Sequence, residues 1–383
     1  MKKTVQSHGL RQISLHNQRW LAAFIIMAAT LGAITMWALR GKETALHVVS
    51  QFKTSDYPIG IVGTQDQGYA LTAAGQVFTL RGWTDQSEGV ELGDNPTSFT
   101  LSTSGKYLLV AGQRLTLLDD ALHQKWSRQT TAPSVVEQAV FTVTGGVAAV
   151  YSFLKDQSRQ FVMYDIAGKY QDGYTVPDFG RGSQISLARS GMLVITLESG
   201  TIYTVSPQGK VIAKFTVPNP GQKLAGLVTV VDDSGTRILA GYGRSVSGVA
   251  GPLPRYLFDQ TGKKITQISA TSVNPGLRAL GNDFLTFGRT ADIFDKDGKQ
   301  LLSASKLNFN AIDASMSDGE CALLFQEQTT SQTAIYFLGI YDMKARTLVR
   351  QWSTAESESP RVFELPGMRS VLALGSGFSI LTP

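Results

Sequence analysis

Reactive side chains are scarce in this chain of 383 residues. It has four histidines, His8, His16, His47 and His123, and one cysteine, Cys321. A lone cysteine makes no intrachain disulfide and no cysteine-built zinc site. A nucleophilic triad needs a histidine base. His123 stands beside Asp119 and Asp120 in the run DDALHQ. That arrangement reads as a base or ligand cluster, or as a solvated hairpin tip, and nearness in a turn is not a site geometry. Two carboxylates alone can cleave a glycoside. Asp66, Glu88, Asp172, Asp178, Asp232, Asp233 and Asp283 are available, but nearly all fall at expected turns, where aspartate bonds the backbone. Cys321 opens the apolar run CALLF and reads as a small buried hydrophobe. No phosphate-binding loop, dinucleotide fingerprint or zinc-protease helix is present. No residue is therefore assigned as catalytic, cofactor-binding or metal-binding.

The elements that would carry any function show themselves as repeats. Gly68, Gly105, Gly145, Gly191, Gly235, Gly281, Gly319 and Gly367 each lead into a short apolar run. They recur about every 43 residues, a period typical of repeated sheet units. Several follow Ser, Asp or Asn, which is turn chemistry: glycine takes positive φ and short polar side chains bond the backbone. A second strand follows each run, and five of these end in Asp119, Asp165, Asp259, Asp295 and Asp342. Four then turn on glycine and lysine, closing at Lys169, Lys210, Lys263 and Lys299. An outer strand comes next, and a proline (Pro58, Pro96, Pro133, Pro220, Pro275 or Pro360) opens many of the units.

Four short strands per unit predict an all-β chain, an eight-bladed β-propeller. The eighth unit lacks an outer strand, whereas strand 45–53 has no unit of its own, so the two chain ends are expected to close the ring. A seven-bladed ring is the alternative if one of the irregular units, Gly235–Gly281 or Gly319–Gly367, is not a blade. The strand-ending aspartates, the glycine-lysine turns and the outer-strand tryptophans Trp126 and Trp352 resemble bacterial propellers of quinoprotein-like (PQQ-like) and WD40-like repeats. The resemblance covers residues 45–383 and concerns repeat pattern. In quinoprotein propellers a docking tryptophan recurs in most blades; here only two units have it. A quinoprotein dehydrogenase would also need a calcium site, an aspartate in the central funnel and typically a vicinal disulfide, which one cysteine cannot form. The resemblance therefore implies no cofactor, and a membrane-anchored propeller.

Trp20 to Leu39 is twenty residues without a charge. At about 1.5 Å per residue a helix of that length crosses a hydrocarbon core. Trp20 and Trp37 lie where rings prefer the interface, and Arg19 and Arg40 bracket the run. Residues 1–19 are expected as a cytoplasmic tail, 20–39 as a transmembrane signal anchor, 40–44 as a linker and 45–383 as an extracytoplasmic propeller. Basic residues precede the run without an acid, so the positive-inside rule places the N-terminus in the cytoplasm. Ala28 and Gly32, with Ala29 and Ala33, permit close helix packing, though ordinary small-residue content accounts for them as well as dimerisation does. Lys2, Lys3, Arg11, Arg19, Arg40 and Lys42, with Glu43, account for the whole net charge of +5. The rest is neutral, which gives no support for a nucleic-acid partner.

Loops are where a propeller holds function. Connections at Gly241–Pro254, Lys155–Gln160 and Gln326–Thr333 are long, and in the usual strand order all three share one face. Tyr242 and Arg244 on the longest, with Trp83 in RGWTDQ, are the candidate interaction residues; Trp83 could equally pack beneath its blade. The expectation is a non-enzymatic scaffold, tethered by one helix, that binds a protein or wall polymer in a cell-envelope assembly. The alternatives are an envelope hydrolase or lyase acting on glycans, and a ligand sensor.

Overall fold

The computed structural model describes residues 44–383, apart from positions 55, 88, 93–94, 178–182, 219–223, 245–253, 269–275, 318, 329–332, 357–359, 366–368, 375–376 and 383. Residues 45–383 form one compact unit. The described residues fold as eight antiparallel sheets, and each is one blade. Blade 1 runs from the innermost strand Pro58–Gly63 outward through Gln67–Thr72 and Gln76–Arg81. The innermost strands of blades 2 to 8 are Ser98–Leu101, Ser134–Phe141, Gln184–Leu187, Leu224–Val231, Gly276–Leu280, Phe309–Ser317 and Arg361–Leu365. Both irregular repeat units are complete blades, the fifth and the seventh, which decides for eight over seven. The eighth blade takes its outer strand from the other end of the chain: His47–Lys53 pairs antiparallel with Gly377–Thr382. Leu46 instead belongs to the neighbouring edge, where its amide donates to the Gln351 carbonyl at 3.1 Å.

The core is divided among the joints between blades. Each of the eight joints has its own apolar cluster. Ile61, Leu80 and Trp83 of blade 1 meet Val371, Phe378 and Ile380 of blade 8, so the last joint is built like the others. Burying apolar area on both faces of every sheet is the main force holding a ring whose described residues form no helix.

Two local devices align the blades. The first is on the outside. In the turns ending at Lys169, Lys263 and Lys299, the aspartate that ends the third strand accepts the amide of the lysine, at 2.8, 3.0 and 2.9 Å. The preceding glycines, Gly168, Gly262 and Gly298, have φ of +80, +84 and +81°. Each leaves a hollow that the previous blade fills. A Cβ on Gly168 would stand 2.7 Å from the Trp126 ring, one on Gly209 2.8 Å from Tyr174, one on Gly262 2.5 Å from Phe215, and one on Gly298 2.3 Å from Thr266. Trp126 and Tyr174 also donate to backbone carbonyls of the blade they lean on, those of Ile166 and Ser206. The docking position that the sequence marks only by tryptophan is thus filled by Tyr174, Phe215 and Thr266 as well. Blade 8 has no such turn, because its third and outer strands come from opposite chain ends.

The second device is on the inside. The Gln138 amide donates to the Ile185 carbonyl at 2.8 Å and its oxygen accepts the Leu187 amide at 2.7 Å. Ser186 donates to the Thr229 carbonyl, and Arg361 to the Ile59 carbonyl across the closing joint. Asp313 accepts from Arg278 on one side and from the Val362 amide on the other.

The blades also alternate. The innermost strands of blades 1, 3, 5 and 7 carry a one-residue irregularity, at Pro58/Gly60, Val136/Gln138, Ala225/Leu227 and Ala311/Asp313. Those of blades 2, 4, 6 and 8 pair without one. The structural repeat is therefore two blades, twice the period read from turns alone. One glycine also differs from its expected role: Gly68 lies inside the strand Gln67–Thr72 rather than in a turn. Its missing Cβ makes room for Trp83, whose ring would stand 2.4 Å away.

Candidate interaction face

Each long connection joins the second strand of a blade to the third. In blade 3, residues 154–158 join Val147–Phe153 to Arg159–Tyr164; in blade 5, 245–254 join Arg237–Arg244 to Arg255–Asp259; in blade 7, 328–333 join Glu320–Glu327 to Ala334–Asp342. Antiparallel strands alternate in direction, so all three connections, together with those between blades, emerge on one face. They sit on blades 3, 5 and 7, whereas the same connection in blade 1, residues 73–75, is short.

The described parts of this face are firmly held and partly apolar. In the blade 3 connection the Leu154 amide donates to the Pro133 carbonyl at 3.1 Å, and the Ser158 amide and hydroxyl hold the Asp156 carboxyl below its ordinary range. Arg159, at the foot of the connection, is paired with Glu137 at 2.9 Å and donates to the Ser183 carbonyl at 3.0 Å. Leu154 itself is 64% exposed. Between blades 6 and 7, Leu307 is 86% exposed. Lys306 beside it lays its ammonium 3.2 Å from the centre of the Phe337 ring. The Gln328 amide donates to the Asn308 carbonyl at 2.7 Å, which ties the blade 7 connection to that corner. Leucine held out in water on a fixed backbone is available apolar area.

The structure corrects two expected interaction residues. Trp83 is 1% exposed, with φ of +64°, and lies against Gly63 and Gly68 in the joint between blades 8 and 1. It packs beneath its blade, the alternative reading, and is not a contact residue. Tyr242 is 5% exposed; its hydroxyl donates to the Val217 carbonyl at 3.1 Å and fills the space over Gly200, so it too serves a joint. Arg244 ends the second strand of blade 5, and its side chain lies outside the described residues. The anchor residues Arg19, Trp20, Trp37 and Arg40 also lie outside them. Within the described residues no helix is long and apolar enough to cross a membrane.

Several of the acids weighed for catalysis are tied locally: Asp172 accepts the Gly173 amide, and Asp232 accepts the Arg237 amide and the Ser234 and Thr236 hydroxyls, while Glu88 and Asp178 lie outside the described residues. Asp119 accepts the Ala121 and His123 amides, and Asp342 those of Lys344 and Ala345. His123 Nδ1 stands 3.5 Å from Asp119, with the imidazole mostly in water at a hairpin tip. Burial raises the carboxyl pKa of Asp233, which Arg189 opposes from 3.7 Å. Burial also raises that of Asp283, with the Asp295 charge adding to it. Among the described residues no group of three His, Cys, Asp or Glu could hold a metal ion.

Two charged groups are placed where sequence reasoning had no signal. Arg255 sits in the apolar-looking strand RYLFD and is 2% exposed, over the space left by Gly241. Burial pushes its guanidinium pKa down to about 10, against the opposing pull of Asp292. Asp292 accepts from Thr290, Gln300 and Ser303, at 2.7, 3.0 and 2.6 Å. Arg255 belongs to blade 5 and Asp292 to blade 6, so the two charges act on each other across that joint.

No protein-family model matches the chain, and no curated protein does either. Solved structures do. The C-terminal WD40 domain of Sif2 matches with a TM-score of 0.65 at 10% identity, over 90% of this chain and 99% of that one. The computationally designed Ika8 protein matches with a TM-score of 0.63 at 11% identity, over 88% and 99%. BamB from Moraxella catarrhalis matches with a TM-score of 0.53 at 15% identity, over 89% and 98%. At such identities the likeness establishes a β-propeller fold and nothing finer.

Proposed function

We propose that this chain is a membrane-tethered, extracytoplasmic propeller that acts as a non-enzymatic scaffold, binding a protein of a cell-envelope assembly on the face of its long connections. The observation that carries the binding reading is the grouping of three long connections on that one face, with Leu154 and Leu307 standing out of rigid backbone there. The anchoring reading rests on the uncharged run from Trp20 to Leu39 between Arg19 and Arg40, and on the positive charge before it. The scaffold reading draws on Asp119, Asp165, Asp259, Asp295 and Asp342, which close turns, and on Asp313, which ties blades.

The topology is tested with a single engineered thiol. Cys321 is fully buried and stays silent toward maleimides. Glu198→Cys, in a surface turn of blade 4, should react with a membrane-impermeant maleimide on right-side-out membrane vesicles. Reaction only after permeabilisation would overturn the orientation. Replacing residues 245–253 with a two-residue turn should strip a co-purifying protein from detergent extracts. An unchanged set of partners would remove that connection from the binding face. Retention by isolated wall polymer instead of by a protein would assign the scaffold to the polymer.

A further inference from the structure

At the opposite end of the ring from the long connections, the innermost strands of blades 6, 7 and 8 line an open pocket of about 570 Å³. Arg278, Leu280, Ser315, Met316 and Arg361 contribute to its wall. The two arginines differ in what already balances them. Arg278 is spoken for: its guanidinium pairs with Asp313 at 2.8 Å and donates to the Ala314 carbonyl. Asp313 is itself buried and tied to the Val362 amide. Arg361 has a carbonyl partner, Ile59 at 3.2 Å, and lies 5.8 Å from the Phe363 ring. Among the described residues no carboxylate reaches it, and a guanidinium carries five donors. Among the described residues, Arg361 is thus the wall's cation without a carboxylate, with donors to spare beside apolar Leu280 and Met316.

We propose that this pocket binds a monoanion with a carboxylate head and an aliphatic body, the head on Arg361 and the body against Leu280 and Met316. The planar fork of arginine matches a carboxylate with two parallel bonds. The volume lies within the range of sites for small ligands, so there is room beyond the head. A peptide C-terminus and a free short-chain acid share this chemistry. The proposal goes beyond the scaffold reading and uses the other end of the ring, so either can fail alone.

The test is calorimetric titration of the full chain in detergent with N-acetyl-Ala-Ala, its C-terminal amide, hexanoate and inorganic phosphate. The proposal expects N-acetyl-Ala-Ala or hexanoate to bind, and whichever binds more tightly names the source. The amide should bind at least tenfold more weakly than the acid. Arg361→Gln should weaken the acid at least tenfold, and Arg361→Lys should recover part of that loss. Because Arg361 also ties blades 8 and 1, Ser315→Phe serves as a second variant, filling the pocket while leaving that tie in place; it too should abolish binding. Equal binding of acid and amide, binding unchanged by Ser315→Phe, tighter binding of phosphate than of either carboxylate, or no binding of either carboxylate at millimolar concentration would overturn the proposal.

Discussion

Closure of the ring by the two chain ends gives a prediction whose size follows from the fold. Gln51 and Ser379 face each other across the pair formed by His47–Lys53 and Gly377–Thr382. Directly opposed residues in an antiparallel pair have Cα atoms about 4.5–5.5 Å apart, within reach of a disulfide. Oxidising Gln51→Cys with Ser379→Cys would close a loop of about 330 residues. Chain entropy then gives a stabilisation of about 6 kcal/mol as an upper bound. The control is Thr201→Cys with Thr216→Cys, opposed residues in the same third-to-outer position of blade 4. It closes a loop of about 15 residues, worth about 3 kcal/mol. With an unfolding entropy of about 0.7 kcal/mol per degree for about 340 residues, these become roughly 8 and 4 °C in melting temperature. The assay is thermal unfolding of each variant, oxidised against reduced, with Cys321 left in place because its burial keeps it out of exchange. The closure bridge should raise the melting point about twice as far as the control. A closure pair that does not oxidise while the control does, or that stabilises no more than the control, would refute closure by these two strands.

Three further outcomes follow from individual contacts. Gly168→Ala should cost about 2–4 kcal/mol in urea unfolding, because the residue sits at φ +80° and its new methyl would meet Trp126. Gly145→Ala, at φ +84° with nothing within 4 Å, should cost only about 1 kcal/mol. Asp313→Ala should cost about 2–3 kcal/mol in the same assay, since it unties three blades and leaves Arg278 without its carboxylate; water around the partly exposed Arg278 keeps the loss below that of a fully buried pair. Burial, with the Asp120 charge adding to it, pushes the Tyr69 phenol up to about 12. An unfolded tyrosine ionises near pH 10, so this group's stabilisation is complete below pH 10 and falls as pH rises through 12. Tyr69→Phe should soften that decline in denaturation curves at pH 9 and 11, and should remove a late phenolate transition from the alkaline absorbance titration.

Local chemistry was the legible part of this chain. An aspartate closing one strand and a glycine-lysine turn opening the next are recognisable because the bond that closes the turn, from the lysine amide to the aspartate, spans only four residues. Five such aspartates and four such turns point to a propeller, and eight glycine-led runs about 43 residues apart point to eight blades, with seven as the alternative. What depends on distant residues was not legible. Trp83 and Tyr242 look like exposed aromatics, yet Gly63, Gly68 and Gly200 supply the hollows that bury them, and nothing local marks those glycines as receptors. The docking position reads as tryptophan only until the structure shows Tyr174, Phe215 and Thr266 filling the same kind of hollow. The two-blade repeat hides because its sign is a one-residue irregularity, which leaves no fixed residue type behind. The pocket arginines hide for the plainest reason: Arg278, Asp313 and Arg361 each come from a different blade. They meet only when the ring forms.

The scaffold reading stands or falls on which face meets a partner. A photoreactive amino acid placed singly at Leu154, Leu307 or Val143 decides this in living cells. All three side chains are exposed, but Val143 lies in the turn between the first and second strands of blade 3, on the opposite face. The account predicts one discrete crosslinked protein from positions 154 and 307 and none from position 143. Crosslinking from position 143, with none from 154 or 307, would contradict it.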